Sequence, residues 1–188
     1  MKRLRIGLLL VLLVAPLLQG CFPLVAAGVG TTALIAADRR TAGVYIEDEN
    51  IELKAIGRLH EIADAHVSAT SFNERLLLTG QVPDAATKKR VQEAMRTIPS
   101  VREVVDETVV AGAASLTSRG NDSLITTNVK ARMIDHGKSQ PNWVKVITEA
   151  GTVYLMGLVT HAEGKDAIEI ARNTSGVARV VPEFEYLD

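Results

Sequence analysis

Along this chain the apolar positions change period in an order that occurs twice. Ile51, Ala55 and Leu59 recur every four residues, as do Ile125, Val129 and Met133, a spacing that lines one face of a helix. Two β-prone runs follow each helical stretch. His66 to Phe72 leads through Asn73-Glu74 into Arg75 to Val82, and Val144 to Thr148 leads through Ala150-Gly151 into Thr152 to Val159. Runs joined by so short a turn predict hairpins. Second helices are expected from about Ala85 to Thr97, carrying Val91, Ala94 and Met95, and from about Ala162 to Asn173, carrying Ala167, Ile168 and Ala171. Pro99 and Gly176 end them. Last strands are expected over Val101 to Val110 and Val177 to Tyr186, so each half reads helix, strand, strand, helix, strand.

The two halves also align residue by residue. Arg75-Leu76-Leu77-Leu78-Thr79-Gly80-Gln81-Val82 matches Thr152-Val153-Tyr154-Leu155-Met156-Gly157-Leu158-Val159 at an offset of 77. Upstream, Asp48, Ile51, Ala55 and Leu59 match Asp122, Ile125, Val129 and Met133 at 74, the difference falling in the polar loop around His136 to Asn142. Downstream, Ile98 to Val105 matches Thr174 to Val181 at 76. Three blocks in one order are a duplication. The fold class is α+β, with two helices on one face of a three-stranded sheet in each copy. Copies of roughly 65 residues sit near the lower limit of self-sufficient domains, so the two are expected to lean on each other. Gly80 and Gly157, equivalent and late in their strands, predict a close backbone approach or a bulge. Asp84 and Asp122 precede helical stretches and read as caps.

The first twenty residues follow a different pattern. Lys2, Arg3 and Arg5 precede an apolar run of 13 residues from Ile6 to Leu18, then Gln19, Gly20 and Cys21. That order is a secretion signal, and 13 residues fall short of the roughly 20 a membrane-spanning helix needs. Leu17-Leu18-Gln19-Gly20-Cys21 resembles the lipobox of bacterial lipoproteins, which implies acylation of the Cys21 thiol and cleavage before it. Cys21 is the only cysteine, and thioether attachment removes the liability of a lone thiol in an oxidising compartment. Phe22 follows it, where an Asp holds many Gram-negative lipoproteins in the inner membrane, so the resemblance implies the periplasmic face of the outer membrane. The chain thus divides into a signal peptide (1–20), a lipidated tether (21–44), a first domain (45–110), a linker of small residues (111–120) and a second domain (121–188).

Losing the signal removes three of 21 basic residues and leaves 18 against 22 acidic ones, a formal charge of −4. Without a basic field or stripe, nucleic acid is excluded as a partner class. The chemistry of an enzyme is also missing. His60-Glu61 begins like a zinc-protease helix, but Asp64 stands where the second histidine belongs. His66, His136 and His161 lie on different elements, and no Gly-x-Ser-x-Gly turn occurs. Gly28 and Gly30 lack the Lys-Ser/Thr pair of a phosphate loop. The expectation is a non-enzymatic protein, monomeric, with no cofactor and no metal. Trp143, the only tryptophan, is either a membrane anchor at a loop tip or a cap on the end of a small core.

The hairpin ending in apolar-x-Gly-x-Val and the small-residue turn before Val101-x-x-Val104 and Val177-x-x-Val180 resemble the BON domain, a periplasmic module often found in tandem. The likeness is fullest in the second copy, through Ile125-Thr126-Thr127, Val144-Lys145-Val146 and Tyr154-Leu155-Met156-Gly157-Leu158-Val159-Thr160. Two such domains behind a lipobox resemble the DolP family of dual-BON outer-membrane lipoproteins. The resemblance implies two helices packed on a three-stranded mixed sheet in each domain. It also implies anionic phospholipid, such as phosphatidylglycerol, bound by the first helix of the second domain, enrichment at the division site and support of envelope integrity.

That helix has a face suited to the role. With Ile125, Val129 and Met133 turned inward, a rotation of about 100° per residue puts Leu124, Thr127, Ala131 and Ile134 on the other side, flanked by Lys130 and Lys138. A weakly apolar stripe edged with positive charge can press into headgroups while its lysines meet phosphates. The alternative for Leu124 and Ile134 is packing against the other domain. The alternative for the protein is an adaptor that binds outer-membrane assembly machinery or a peptidoglycan-associated partner.

Overall fold

The computed structural model describes residues 38–62, 64–136 and 142–188. Cys21 and Lys138 therefore lie outside the described residues. The first repeat comprises α1 (Ala42–His60), β1 (His66–Phe72), β2 (Arg75–Val82), α2 (Ala85–Arg96), β3 (Glu103–Asp106) and β4 (Val109–Val110). The second comprises α3 (Leu116–His136), β5 (Val144–Glu149), β6 (Thr152–Val159), α4 (His161–Arg172) and β7 (Arg179–Tyr186). In each sheet the hairpin is antiparallel, and the last strand pairs in parallel with the hairpin's second strand. The sheets are mixed and the fold is α+β, in agreement with the sequence pattern. The third strand of the first repeat is split, β3 and β4 both pairing with β2 on either side of Glu107-Thr108.

Caps set where most helices begin. Thr41, Asp84 and Thr160 accept hydrogen bonds from the backbone of Val44, Thr87 and Glu163, which satisfies donors that a helix start leaves open. Asp122 does not cap. Helix α3 begins at Leu116, inside the stretch of small residues between the repeats, with the Ser115 hydroxyl accepting from Ser118 N at 3.2 Å.

Buried in the middle of that helix, Asp122 instead accepts from the amides of Ala150 and Gly151, both at 2.9 Å. Its counterpart Asp48 accepts from the amides of Asn73 and Glu74, both at 2.8 Å, and from the Ser71 hydroxyl at 2.6 Å. All four turn residues have positive φ, as a two-residue hairpin turn matched to strand twist requires. A buried carboxylate on each first helix thus holds each hairpin turn in shape.

Gly80 and Gly157 mark close approaches. A Cβ at Gly80 would lie 2.1 Å from the carbonyl oxygen of His66, and one at Gly157 would lie 2.4 Å from that of Trp143. Gly80 also has φ +116, so its need for glycine is conformational as well as steric.

Both repeats fall within one compact unit. Each has its own core under its helices, with Leu76, Leu78, Val91 and Met95 in the first and Val129, Met133, Val153 and Leu155 in the second. The opposite faces of the sheets form a third cluster of Phe72, Leu77, Tyr154 and Met156, so the layers run helix, sheet, sheet, helix. Both faces of β2 and β6 are therefore covered, which explains their nearly unbroken burial. Polar pairs ring this seam. Arg75 meets Glu183 at 3.2 Å, Lys145 meets Glu52 at 2.6 Å, and Glu185 takes Asn73 at 2.9 Å and Arg102 at 3.1 Å. Gln81 donates to Glu149 and accepts from Ala114 N, tying the connecting segment down as well.

Two consecutive arginines fasten the segment before α1. Arg40 lies between Asp38 and Asp48, its guanidinium carbon 4.1 Å from the centre of the Phe72 ring. Arg39 reaches the second repeat, donating to both carboxylate oxygens of Glu163 at 2.7 Å and to Leu158 O at 2.9 Å. Half-buried Trp143 lies under it, with the Arg39 guanidinium carbon 3.6 Å from the ring centre, a cation–π geometry.

Candidate functional site

The first helix of the second repeat is held in one rotation by contacts on its inner side. Ile125, Val129 and Met133 enter the core with Asp122 beside them. The Thr126 hydroxyl bonds that of Thr148 at 2.7 Å, and Arg132 donates to the carbonyl of Asn173 at 2.7 Å, just past the end of α4. Its counterpart Arg58 donates likewise to the carbonyl of Ala94 near the end of α2. Cations at helix C-termini also complement the helix dipole.

With the inner side fixed, the outer side is determined. Leu124 is 63% and Ile134 58% exposed, and neither packs against the other repeat. Thr127, Lys130 and Ala131 are exposed between them. The structure thus brings together five of the six residues proposed for lipid contact, the sixth being Lys138. Leu116 extends the stripe. It is 82% exposed and lies about five helical turns before Ile134, pointing the same way. Arg119 and Lys130 border this face, and neither has an ion-pair partner among the described residues. Small-residue composition hid Leu116 in the sequence, because the stretch that contains it read as a linker.

The other candidates are placed as follows. His60 and Asp64 are exposed, and among the described residues no group of three His, Cys, Asp or Glu side chains is arranged to hold a metal ion. His161 stacks on Tyr186 with ring centres 4.0 Å apart and bonds Asp188 at 2.8 Å. Among the described residues no helix is long and apolar enough to cross a membrane. Arg39 holds the Glu163 carboxyl down at about 2, so this clamp is ionised throughout the neutral range.

Residues 48–112 and 121–188 each match the BON domain. Outer membrane lipoprotein DolP of Haemophilus influenzae is 39% identical over 175 residues, 91% of each chain. The chain belongs to the dual-BON DolP family. A second relative, the 21 kDa hemolysin of Actinobacillus pleuropneumoniae, is 29% identical over 154 residues, 80% of this chain and 79% of its own. Among solved structures, CdsD, a structural protein of the type III secretion system of Chlamydia trachomatis, aligns over 73% of this chain and 92% of its own, with a TM-score of 0.32 and 11% identity. The protein is thus a BON-domain member of a family of outer-membrane lipoproteins. The relatives are named as a lipoprotein and a hemolysin and not as enzymes. The duplicated features described above, the hairpin-holding aspartates, the strand glycines and the capping arginines, recur once per BON domain.

Proposed function

We propose that this protein is anchored in the outer membrane by acyl chains on Cys21 and binds anionic phospholipid, such as phosphatidylglycerol, through α3 of the second BON domain. On this reading it is a non-enzymatic lipoprotein that collects at the division site and supports envelope integrity. The observation that carries the reading is the exposed apolar stripe from Leu116 through Leu124 to Ile134, bordered by Arg119 and Lys130. Acyl chains already give stable attachment at about 0.8 kcal/mol per buried methylene, so the helix serves selection. Tethering raises the local lipid concentration until a weak contact biases where the protein resides.

Cys21→Ser tests the anchor, and unprocessed precursor that takes up no lipid label is the expected result. Normal labelling of that variant defeats the lipoprotein assignment. Leu124→Glu with Lys130→Glu tests the stripe in flotation of a soluble form on phosphatidylglycerol vesicles. Cutting at Thr41 would discard Arg39 and Arg40, so the soluble form begins at Asp38. Binding is expected to fall at least about tenfold from the reversed charge at Lys130, the carboxylate added at Leu124 and the lost apolar contact, with the circular dichroism unchanged and the full-length protein dispersed around the cell. Retained vesicle binding and midcell enrichment in a folded double variant would place the adaptor reading first.

A further inference from the structure

The first BON domain has its own exposed face, and its chemistry differs. On α1, equivalent to α3, the residues Ile46, Leu53 and Ile56 are exposed. Every cation of that helix is engaged, Lys54 with Glu47 and Arg58 with the end of α2. Glu49 and Asp64 are exposed and have no partner among the described residues, whereas Glu61 lies on the α2 side of α1 near Arg58 and Arg90. An apolar surface with a carboxylate rim is repelled by an anionic bilayer and attracts a basic partner.

Beside this face lies an open strand edge. Among the described residues β1 pairs only with β2, and in an antiparallel ladder successive residues alternate between bonding the neighbour and facing away. Ser71 faces away, since its amide donates to Glu52 at 2.8 Å and its carbonyl accepts from Lys145 at 3.1 Å. Val67 and Ala69 share its alternation, so their amides and carbonyls face outward too, with no partner among the described residues. They open onto a cleft of about 290 Å³ whose far wall is Ile56, Leu59 and His60 of α1.

The other edges are interrupted or covered. Just past β7 the amide of Leu187 bonds Val159 O of β6, so the even-numbered residues of β7 face outward and Pro182 falls among them without an amide to offer. On the β3–β4 edge, Asp106 accepts from Thr108 N and Lys88 covers Thr108 O. In the second domain the counterparts of Val67 and Ala69, Val144 and Val146, are almost fully buried.

We infer that the β1 edge of the first BON domain, with the cleft under α1, receives an extended, lysine- or arginine-bearing segment of a partner protein as an added strand. Main-chain bonds to Val67 and Ala69 supply affinity, alternate apolar side chains enter the cleft, and basic residues meet the carboxylate rim. The Glu52–Lys145 contact at Ser71 fixes where the added strand stops. This surface is separate from the lipid-contacting stripe, so either can fail without the other.

The test uses the acylated full chain in zwitterionic micelles and a labelled short peptide alternating lysine with valine, against one alternating glutamate with valine. Saturable anisotropy is expected for the lysine peptide, at least about tenfold tighter than for the glutamate peptide. The amides of Val67 and Ala69 should gain protection from hydrogen exchange as it binds. Ala69→Pro removes an outward amide without touching the β1–β2 ladder and should weaken binding at least about tenfold, with vesicle flotation unchanged. Ile56→Asn, on an exposed helix position, should do the same should the proline variant melt early. Absent saturation, equal binding of both peptides, unprotected amides, or full binding by both variants would overturn the inference. So would a concentration-dependent dimer in sedimentation that Ala69→Pro abolishes, which would assign the edge to a second copy of the chain.

Discussion

Asp48 and Asp122 each hold a hairpin turn, and the position of Asp122 shows why the sequence pattern alone reads it as a cap. An aspartate ahead of an apolar helical pattern is a cap by default, and Asp84 is one. Asp122 reaches the hairpin turn of its own repeat because α3 starts six residues earlier, a contact between elements that no local spacing encodes. The alignment of Asp48 with Asp122 was legible, but its meaning needed the turn amides. The charge clamp Arg39–Glu163 makes the stability of the fold depend on pH. Its carboxyl falls from the ordinary 4.5 to about 2 in the folded protein. A group depressed on folding contributes stability that is present above its unfolded pKa and is lost as pH falls through its folded one. Thermal melts should therefore show Glu163→Gln clearly less stable than the parent at pH 7, with the difference closing between about pH 4.5 and 2. A gap that stays constant over that range would remove the clamp from the stability of the fold.

At the scale of elements, the hairpins and second helices lie within about a residue of where the periodicity puts them. The start of α3 does not, because Ala111 to Ser115 and Gly120 have the composition of a linker. Gly120 costs about 1 kcal/mol inside a helix, and the buried face from Asp122 to Met133 outweighs it. Four of the stripe's five described members could be named from a 100° rotation, together with Lys130 at its edge, whereas Leu116 required knowing that the helix extends that far. The strand glycines support a sharper expectation. Gly157→Val forces a side chain against the Trp143 carbonyl and should destabilise the second domain by roughly 2–3 kcal/mol, read as a fall in melting temperature. An unchanged melt would mean that β5 can move away from β6 at no cost.

For the whole molecule, the duplication and the dependence of each half on the other were readable, yet the sheet-to-sheet arrangement was not. Its trace was present. Leu76-Leu77-Leu78 and Tyr154-Leu155-Met156 are unbroken apolar runs where a sheet with one wet face would alternate. The seam predicts cooperative behaviour: calorimetry of the parent protein should give one transition, and Met156→Glu, placing a carboxylate among Phe72, Leu77 and Tyr154, should split it into two at a cost of at least about 3 kcal/mol. Two resolved transitions in the parent would mean that the seam does not couple the domains.

The two arginines that fasten the segment before α1 bear on how the protein carries mechanical load. Arg39 grips the second domain and Arg40 the first, so tension arriving along the chain from its amino-terminal side is divided between the domains before it reaches the first turn of α1. A single grip would concentrate that tension on one helix and unzip it turn by turn. Shared between two, the load falls on side-chain clamps at both sides of the seam.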